Sequence, residues 1–157
     1  MRNIQEWLDA YGESHQNPTN KAVHWICVPA IFISIVGLIW SIPFPFIKLD
    51  LIGLPINWAM MVLALVFIYY MSLSFRLSIG MLLWGVFCLW LCGVMETAIP
   101  LPLWATSLII FTVAWIGQFW GHKVEGKKPS LFEDIQFLMI GPAWLMHFIY
   151  KKLGIGY

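Results

Sequence analysis

The histidines are the residues of this sequence best suited to binding a metal ion, and each of them adjoins a long apolar stretch. There are four of them, His15, His24, His122 and His147. Histidine is the commonest protein ligand for transition metals, and polar groups at membrane depth usually mark functional sites. A single histidine in such a position usually bonds only to backbone or lipid headgroups. Several histidines at one depth would instead predict a metal site.

Two polar residues accompany His122 at helical spacing. Glu125 follows it by three positions and Gln118 precedes it by four, so one helix would carry all three on one face. A carboxylate or amide behind a ligating histidine fixes its tautomer and orientation. Glu125 could instead be a direct ligand, or an exposed charge that pairs with Lys128. Two histidines and a carboxylate are typical of non-haem Fe(II) enzymes, whereas closed Cys-rich sets are typical of structural zinc.

The spacing of the first two histidines requires a break in the helix. His15 and His24 are nine residues apart, which on one straight helix separates them by roughly 13 Å on opposite faces. Pro18 interrupts the helix between them. The resulting loop could fold His15 back toward His24, with Thr19 or Asn20 as the cap of the following helix.

The composition indicates which elements position these residues. Of the 157 residues, 61% are hydrophobic and only 11% are charged, against about a quarter charged in soluble domains. The chain is therefore expected to be an integral membrane protein. Its net charge of +1 provides no extended phosphate-binding surface, which excludes nucleic acid as a partner.

Four segments are long and apolar enough to cross a bilayer as helices, which needs about 20 residues each. We predict an all-α, multi-pass membrane bundle in a single domain over residues 1–157, with a short amphipathic helix near the N-terminus, over Asn3–Gly12, lying on the membrane surface. The C-terminal segment, about 131–152, contains Gly141-Pro142 and is expected to be interfacial or re-entrant. The predicted spans are about 22–42, 55–74, 77–95 and 103–121.

The distribution of basic residues predicts the orientation. With four spans, eight basic residues share the side of both termini, and Lys48 alone lies on the other. This asymmetry places both termini in the cytoplasm, in a bacterial inner membrane or, in a eukaryote, the endoplasmic reticulum membrane. All four histidines then lie on or near the cytoplasmic face. The eight basic residues are Arg2, Lys21, Arg76, Lys123, Lys127, Lys128, Lys151 and Lys152.

Two stretches give the sequence a resemblance to a known family. YGESHQNPTNKAVH runs from Tyr11 to His24, and WIGQFWGHKVEGKKPSL runs from Trp115 to Leu131. Both resemble the Mpo-like 2-hydroxy fatty acid dioxygenases. The resemblance implies an Fe(II)-dependent enzyme of fatty acid α-oxidation, which uses O2 to shorten a long-chain 2-hydroxy fatty acid by one carbon.

The resemblance also implies roles for individual residues. The family's histidines fall on His15, His24 and His122, and its acidic residue falls on Glu125, as a ligand or beside one. His147 lies outside that pattern and is a fourth candidate ligand from its position alone. Further residues are expected in catalysis, namely Gln118 and Lys123 with Glu125, and in substrate binding, namely Tyr11, Asn17, Asn20 and Lys127.

Other classes of function remain as alternatives. A haem-binding membrane protein would use His24 and His122 as axial ligands, and a non-enzymatic transporter or scaffold would need none of the histidines. A membrane di-iron hydroxylase would need about eight histidines in clusters, and this chain has four. The oligomeric state is left open by the sequence.

Overall fold

The computed structural model describes residues 3–13, 15–45, 50–51, 54–126 and 137–156, and this part of the chain is an all-helical bundle. A two-residue antiparallel hairpin, Asp50–Leu51 with Leu54–Pro55, is the small exception. The six described helices are α1 (Ile4–Glu13), α2 (Pro18–Trp40), α3 (Trp58–Leu73), α4 (Phe75–Ala98), α5 (Leu103–Glu125) and α6 (Ile140–Leu153).

Three helices of the described chain, α2, α4 and α5, are long and apolar enough to cross a membrane. The remaining predicted span, 55–74, corresponds to α3, which has only 16 residues. Its start is delayed because Asn57 caps it by accepting from the Met60 amide. It ends at Ser74, which also caps α4 by accepting from the Leu77 amide. The structure therefore supports three candidate spans by length, not the four predicted.

Small residues allow α2 and α5 to pack closely along much of their length. A Cβ atom added at Gly117 would lie 2.6 Å from Cys27 Sγ, and one at Gly121 would lie 2.5 Å from Asn20 Oδ1. Both distances are shorter than van der Waals contact, so only glycine allows this approach. Close backbone approach through small residues is typical of helices packed in membranes. This packing brings the start of α2 beside the end of α5.

Hydrogen bonds at the two ends of the bundle define its path. At one end, Trp40 Nε1 donates to Glu96 Oε2 over 3.2 Å, which joins the ends of α2 and α4. At the other, the Tyr70 hydroxyl donates to the Met139 carbonyl, and the Tyr150 hydroxyl donates to the Arg76 carbonyl. The short α3 thus returns the chain from the end of α2 to the start of α4, and α6 covers that second end.

The two terminal helices pack on each other, which corrects one expectation. Helix α1 was predicted to lie on the membrane surface, but Leu8 and Tyr11 on its apolar face are buried against Ile140 and Trp144. Helix α6 is continuous from Ile140, because its proline lies in the first turn, where an amide hydrogen is not needed. The part of the predicted C-terminal segment before residue 137 lies outside the described residues.

Candidate metal centre

Three histidine side chains from two helices and a loop converge at one end of the bundle. His15 lies in the loop after α1, His24 in the second turn of α2 and His122 in the last turn of α5. One ring nitrogen from each lies within 4.8 Å of the others. All three side chains are buried, with exposed fractions of 3%, 1% and 8% respectively.

The break between the first two histidines forms as predicted, but with a different cap. Asn17, not Thr19 or Asn20, is the N-cap of α2, and its side chain accepts from the Thr19 amide over 2.8 Å. Pro18 occupies the first helical position, where its fixed φ and missing amide hydrogen are favourable. The turn folds His15 back until its Nε2 atom is 2.8 Å from Nε2 of His24.

Backbone carbonyls fix the tautomers of His15 and His24. His15 Nδ1 lies 2.6 Å from the Tyr11 carbonyl oxygen, and His24 Nδ1 lies 2.9 Å from the carbonyl oxygen of Asn20. A carbonyl oxygen only accepts, so each Nδ1 carries a hydrogen and donates it. Each Nε2 atom of a neutral ring is then left with a lone pair.

This arrangement fits a metal ion. Two neutral rings held in these tautomers direct their Nε2 lone pairs at each other across a short gap, which a shared cation would stabilise. Nitrogens that ligate one metal ion at 2.0–2.1 Å are separated by about 3 Å when they occupy adjacent positions. His122 supplies a third nitrogen within the same group. The donor set therefore has the chemistry of a transition-metal site with open positions.

Glu125 binds the loop that carries His15. Its carboxylate accepts from the amides of Gln16 and Asn17, both at 2.9 Å, and from Asn20 Nδ2 at 3.0 Å. It lies outside the group of three histidines and contacts the loop that positions one of them. Asn17 and Asn20, predicted in substrate binding, contact Glu125 and are not among the described residues that line the cavity beside the histidines.

A small cavity adjoins the histidines. Tyr11, predicted in substrate binding, lines it and stacks on the His15 ring, with centroids 4.2 Å apart and planes 9° apart. Gln118 also lines it, as expected from its spacing to His122. Trp115 lines the same wall one turn before Gln118, and it was not among the predicted site residues although the same helical periodicity indicates it.

The remaining predicted residues lie elsewhere. His147 is buried but is not part of the histidine group, and it lines a polar cavity with Lys21 and Lys151 that His15 also borders. Burial lowers the pKa of His147, Lys151 lowers it further and Asp9 opposes the shift. Lys123 is exposed at the end of α5, and Lys127 lies outside the described residues.

Comparison with known proteins gives one family and one curated relative. The family model described as 2-hydroxy-palmitic acid dioxygenase Mpo1-like matches residues 1–153. The chain is 28% identical over 156 residues to the 2-hydroxy-palmitic acid dioxygenase MPO1 of Saccharomyces cerevisiae, covering 98% of this chain and 83% of the relative. No solved structure matches the chain.

Proposed function

Because the chain belongs to the Mpo1-like family of 2-hydroxy-palmitic acid dioxygenases, we propose that it oxidises long-chain 2-hydroxy fatty acids with O2 in an Fe(II)-dependent reaction. The product would be the fatty acid one carbon shorter. The observation that carries the proposal is the buried group of three histidines at the end of an apolar bundle. The printed name of the yeast relative supports the substrate class.

The proposed reaction balances without an external reductant. A 2-hydroxy acid, R–CH(OH)–COOH, and O2 give R–COOH, CO2 and water. The bond between the first and second carbons breaks, the second carbon becomes the new carboxyl carbon, and O2 is fully reduced. The protein therefore needs to bring together a 2-hydroxy acid, O2 and one metal ion.

We propose His15, His24 and His122 as the iron ligands. Fe(II) held by three neutral imidazoles would supply O2 activation and Lewis-acid binding of the substrate oxygens. The chain's own contribution is to hold the rings in place. The Tyr11 and Asn20 carbonyls keep Nε2 of two rings free of hydrogen, and Tyr11 stacking fixes the plane of His15.

Apolar cavities beside the centre fit the acyl tail. Phe32 lines the histidine cavity, a cavity between α2 and α3, and a larger one between α3 and α4. The described walls of the larger cavity are almost entirely apolar. A long alkyl chain would therefore be stabilised there by removal from water, while the head group stays at the histidines.

The long apolar helices indicate that the chain is a membrane protein. We propose that both termini and the metal centre lie at the cytoplasmic face, where the excess of basic residues is found, so that a substrate carboxylate remains at the interface.

The proposal is tested by metal content and turnover together. Protein purified without oxygen in detergent is loaded with Fe(II), its metal is measured by elemental mass spectrometry, and 2-hydroxypalmitate is supplied with O2. We expect near-stoichiometric iron and formation of pentadecanoic acid. His15→Ala, His24→Ala and His122→Ala should each abolish product and reduce bound iron.

His147→Ala is the matched control, since His147 is also a buried histidine but lies outside the group. It should keep its iron and its turnover. Absence of bound iron in the wild type, or no O2-dependent product, would contradict the proposed function. Stoichiometric zinc without turnover would indicate hydrolytic chemistry instead.

A further inference from the structure

Two polar atoms in the wall of the histidine cavity have no hydrogen-bond partner among the described residues. They are Oε1 of Gln118 and Nε1 of Trp115, and both atoms are buried. Both residues line the cavity together with His24 and His122. The Gln118 side chain is only 7% exposed, so bulk water does not readily reach its oxygen.

Such atoms need an explanation, because buried polar groups in folded proteins are almost always paired. One is an acceptor and the other is a donor. Gln118 and Trp115 are three residues apart on α5, which puts them on one face, and His122 follows on that face one turn later. The face of α5 that carries His122 therefore also carries one residue with an unpaired acceptor and one with an unpaired donor among the described residues.

We propose that Gln118 and Trp115 recognise the two oxygen groups of a 2-hydroxy acid. Gln118 Oε1 accepts a hydrogen bond from the 2-hydroxyl group, and Trp115 Nε1 donates one to a carboxylate oxygen. This inference rests on the proposed function, and it adds how the site distinguishes a 2-hydroxy acid from an ordinary fatty acid. Both residues are binding residues, distinct from the iron ligands.

The physical basis of the discrimination is the cost of an unpaired buried acceptor. An ordinary fatty acid has hydrogens on its second carbon and nothing to donate to Gln118, so its binding leaves the amide oxygen buried and unpaired. A site built around a substrate hydroxyl rejects an analogue that lacks it far more strongly than an apolar pocket rejects a missing methylene.

The rest of the cavity wall is consistent with this orientation. Val28, Ile31 and Phe32 line it without polar side-chain atoms, and Phe32 also borders the larger apolar cavities. A bound acid with its head group at Gln118 and Trp115 can therefore direct its alkyl chain toward Phe32. The reverse orientation would bury the carboxylate among apolar side chains.

The test is equilibrium binding without oxygen, which separates recognition from turnover. Radiolabelled 2-hydroxypalmitate and palmitate are titrated onto the iron-loaded protein in detergent. The wild type should prefer 2-hydroxypalmitate. Gln118→Met keeps the side-chain length. Its ratio of affinities for 2-hydroxypalmitate and palmitate should be about tenfold smaller than that of the wild type, while palmitate binding is retained. Palmitate binding also serves as the folding control for this variant.

Trp115→Phe gives the complementary result, because the carboxylate is common to both acids. It should weaken the binding of both by a similar factor and leave the preference unchanged. Trp104→Phe is the matched control, since Trp104 lies on the same helix with 55% of its surface exposed, and it should alter neither.

The outcomes separate the inference from the function on which it rests. A Gln118→Met protein that keeps the full preference, or that is folded but binds neither acid, would overturn the role of Gln118. A Trp115→Phe protein that changes the preference, or binds both acids as tightly as the wild type, would overturn the role of Trp115. A wild type that binds both acids equally would overturn the inference, whereas the proposed function fails only if bound iron or the O2-dependent product is absent.

Discussion

At the scale of single residues, Glu125 illustrates how a residue beside the ligands builds the site. Its carboxylate joins the end of α5 to the loop before α2 by accepting from two backbone amides and the Asn20 side chain. Asn20 in turn supplies the carbonyl that receives His24 Nδ1. One carboxylate therefore holds His15 and His24 at their distance from His122.

This role gives a prediction for Glu125→Gln. The new amide group is a donor where a carboxylate oxygen accepted, so at least one of the three donors, the Gln16 amide, the Asn17 amide or the Asn20 side chain, loses its partner. We expect iron affinity to fall by 10- to 100-fold, as is usual when a partner behind a metal ligand is removed. The measurement is competition with a chelator under anaerobic conditions.

Glu96→Gln is the control for that substitution. Glu96 accepts a hydrogen bond from Trp40 at the opposite end of the bundle, and glutamine keeps an acceptor there. Its iron affinity should match the wild type. Unchanged affinity in Glu125→Gln would mean that the loop holds His15 without the carboxylate.

The sequence was sufficient for part of this site. Local spacing predicted that Glu125 and Gln118 accompany His122, and that Pro18 turns His15 back toward His24. It could not predict that Glu125 contacts Asn17 and Asn20, because those contacts join residues more than 100 positions apart. The separate position of His147 was hidden for the same reason, since its place depends on how α6 packs.

At the scale of elements, the group of three histidines depends on the contact between α2 and α5. Each helix carries one side of the site, and glycines allow their backbones to approach. The sequence predicted these two helices well, because each is a long apolar run. It overestimated the length of α3, which begins only after the cap at Asn57, and it did not predict that the apolar face of α1 packs on α6.

Gly121→Ala tests this contact. Its Cβ atom would lie 2.5 Å from Oδ1 of the fully buried Asn20, so either the Asn20 side chain or one of the helices must shift. We expect a loss of about 1–3 kcal/mol in the free energy of unfolding, as for other overpacked cores, together with weaker iron binding. Thermal unfolding in detergent measures the first effect and metal content the second.

Gly85→Ala provides the comparison on α4. An added Cβ atom there meets Leu63 at 3.7 Å, which is an ordinary contact. Alanine also favours helix over glycine, by up to about 1 kcal/mol. The variant should be as stable as the wild type or slightly more so. Equal stability of both variants would contradict the importance of close packing between α2 and α5.

At the scale of the whole molecule, the path of the helices indicates how the chain crosses the membrane. Leu65, Leu83, Val113 and Ile116 expose 63–67% of their surface on the outside of the bundle, where lipid would cover them. Although α3 has only 16 residues, it connects opposite ends of the bundle. We therefore expect it to traverse the bilayer with the three longer helices.

Cysteine labelling checks this path with a reagent that does not cross membranes. Ile42→Cys, at the end of α2, should react from outside the cell, whereas Phe75→Cys, at the start of α4, should react only in inverted vesicles. Reaction of both from the same side would mean that α3 does not cross. The natural thiols will interfere little because all three are buried, at 8%, 0% and 0% exposure for Cys27, Cys88 and Cys92.

The cavity between α3 and α4 is where the architecture of the bundle would determine which substrate chain lengths are accepted. If it holds the acyl tail, its length sets the longest chain that fits, since each methylene kept out of water contributes roughly 0.8 kcal/mol. Ala64 lines this cavity although it is also exposed at the surface, and the next residue, Leu65, is 67% exposed but does not line the cavity. The pair offers a matched substitution on one helix.

We expect Ala64→Phe to shorten the accepted chain. A phenyl ring in the cavity excludes the end of a long tail, so turnover of 2-hydroxypalmitate at low concentration should fall by about tenfold, as the loss of one or two buried methylenes requires. Turnover of 2-hydroxydecanoate should be unchanged, because its tail ends earlier. Leu65→Phe adds the same ring on the outer surface and should alter neither rate. Equal effects of Ala64→Phe on both acids would mean that the tail lies outside this cavity, along the lipid-facing surface.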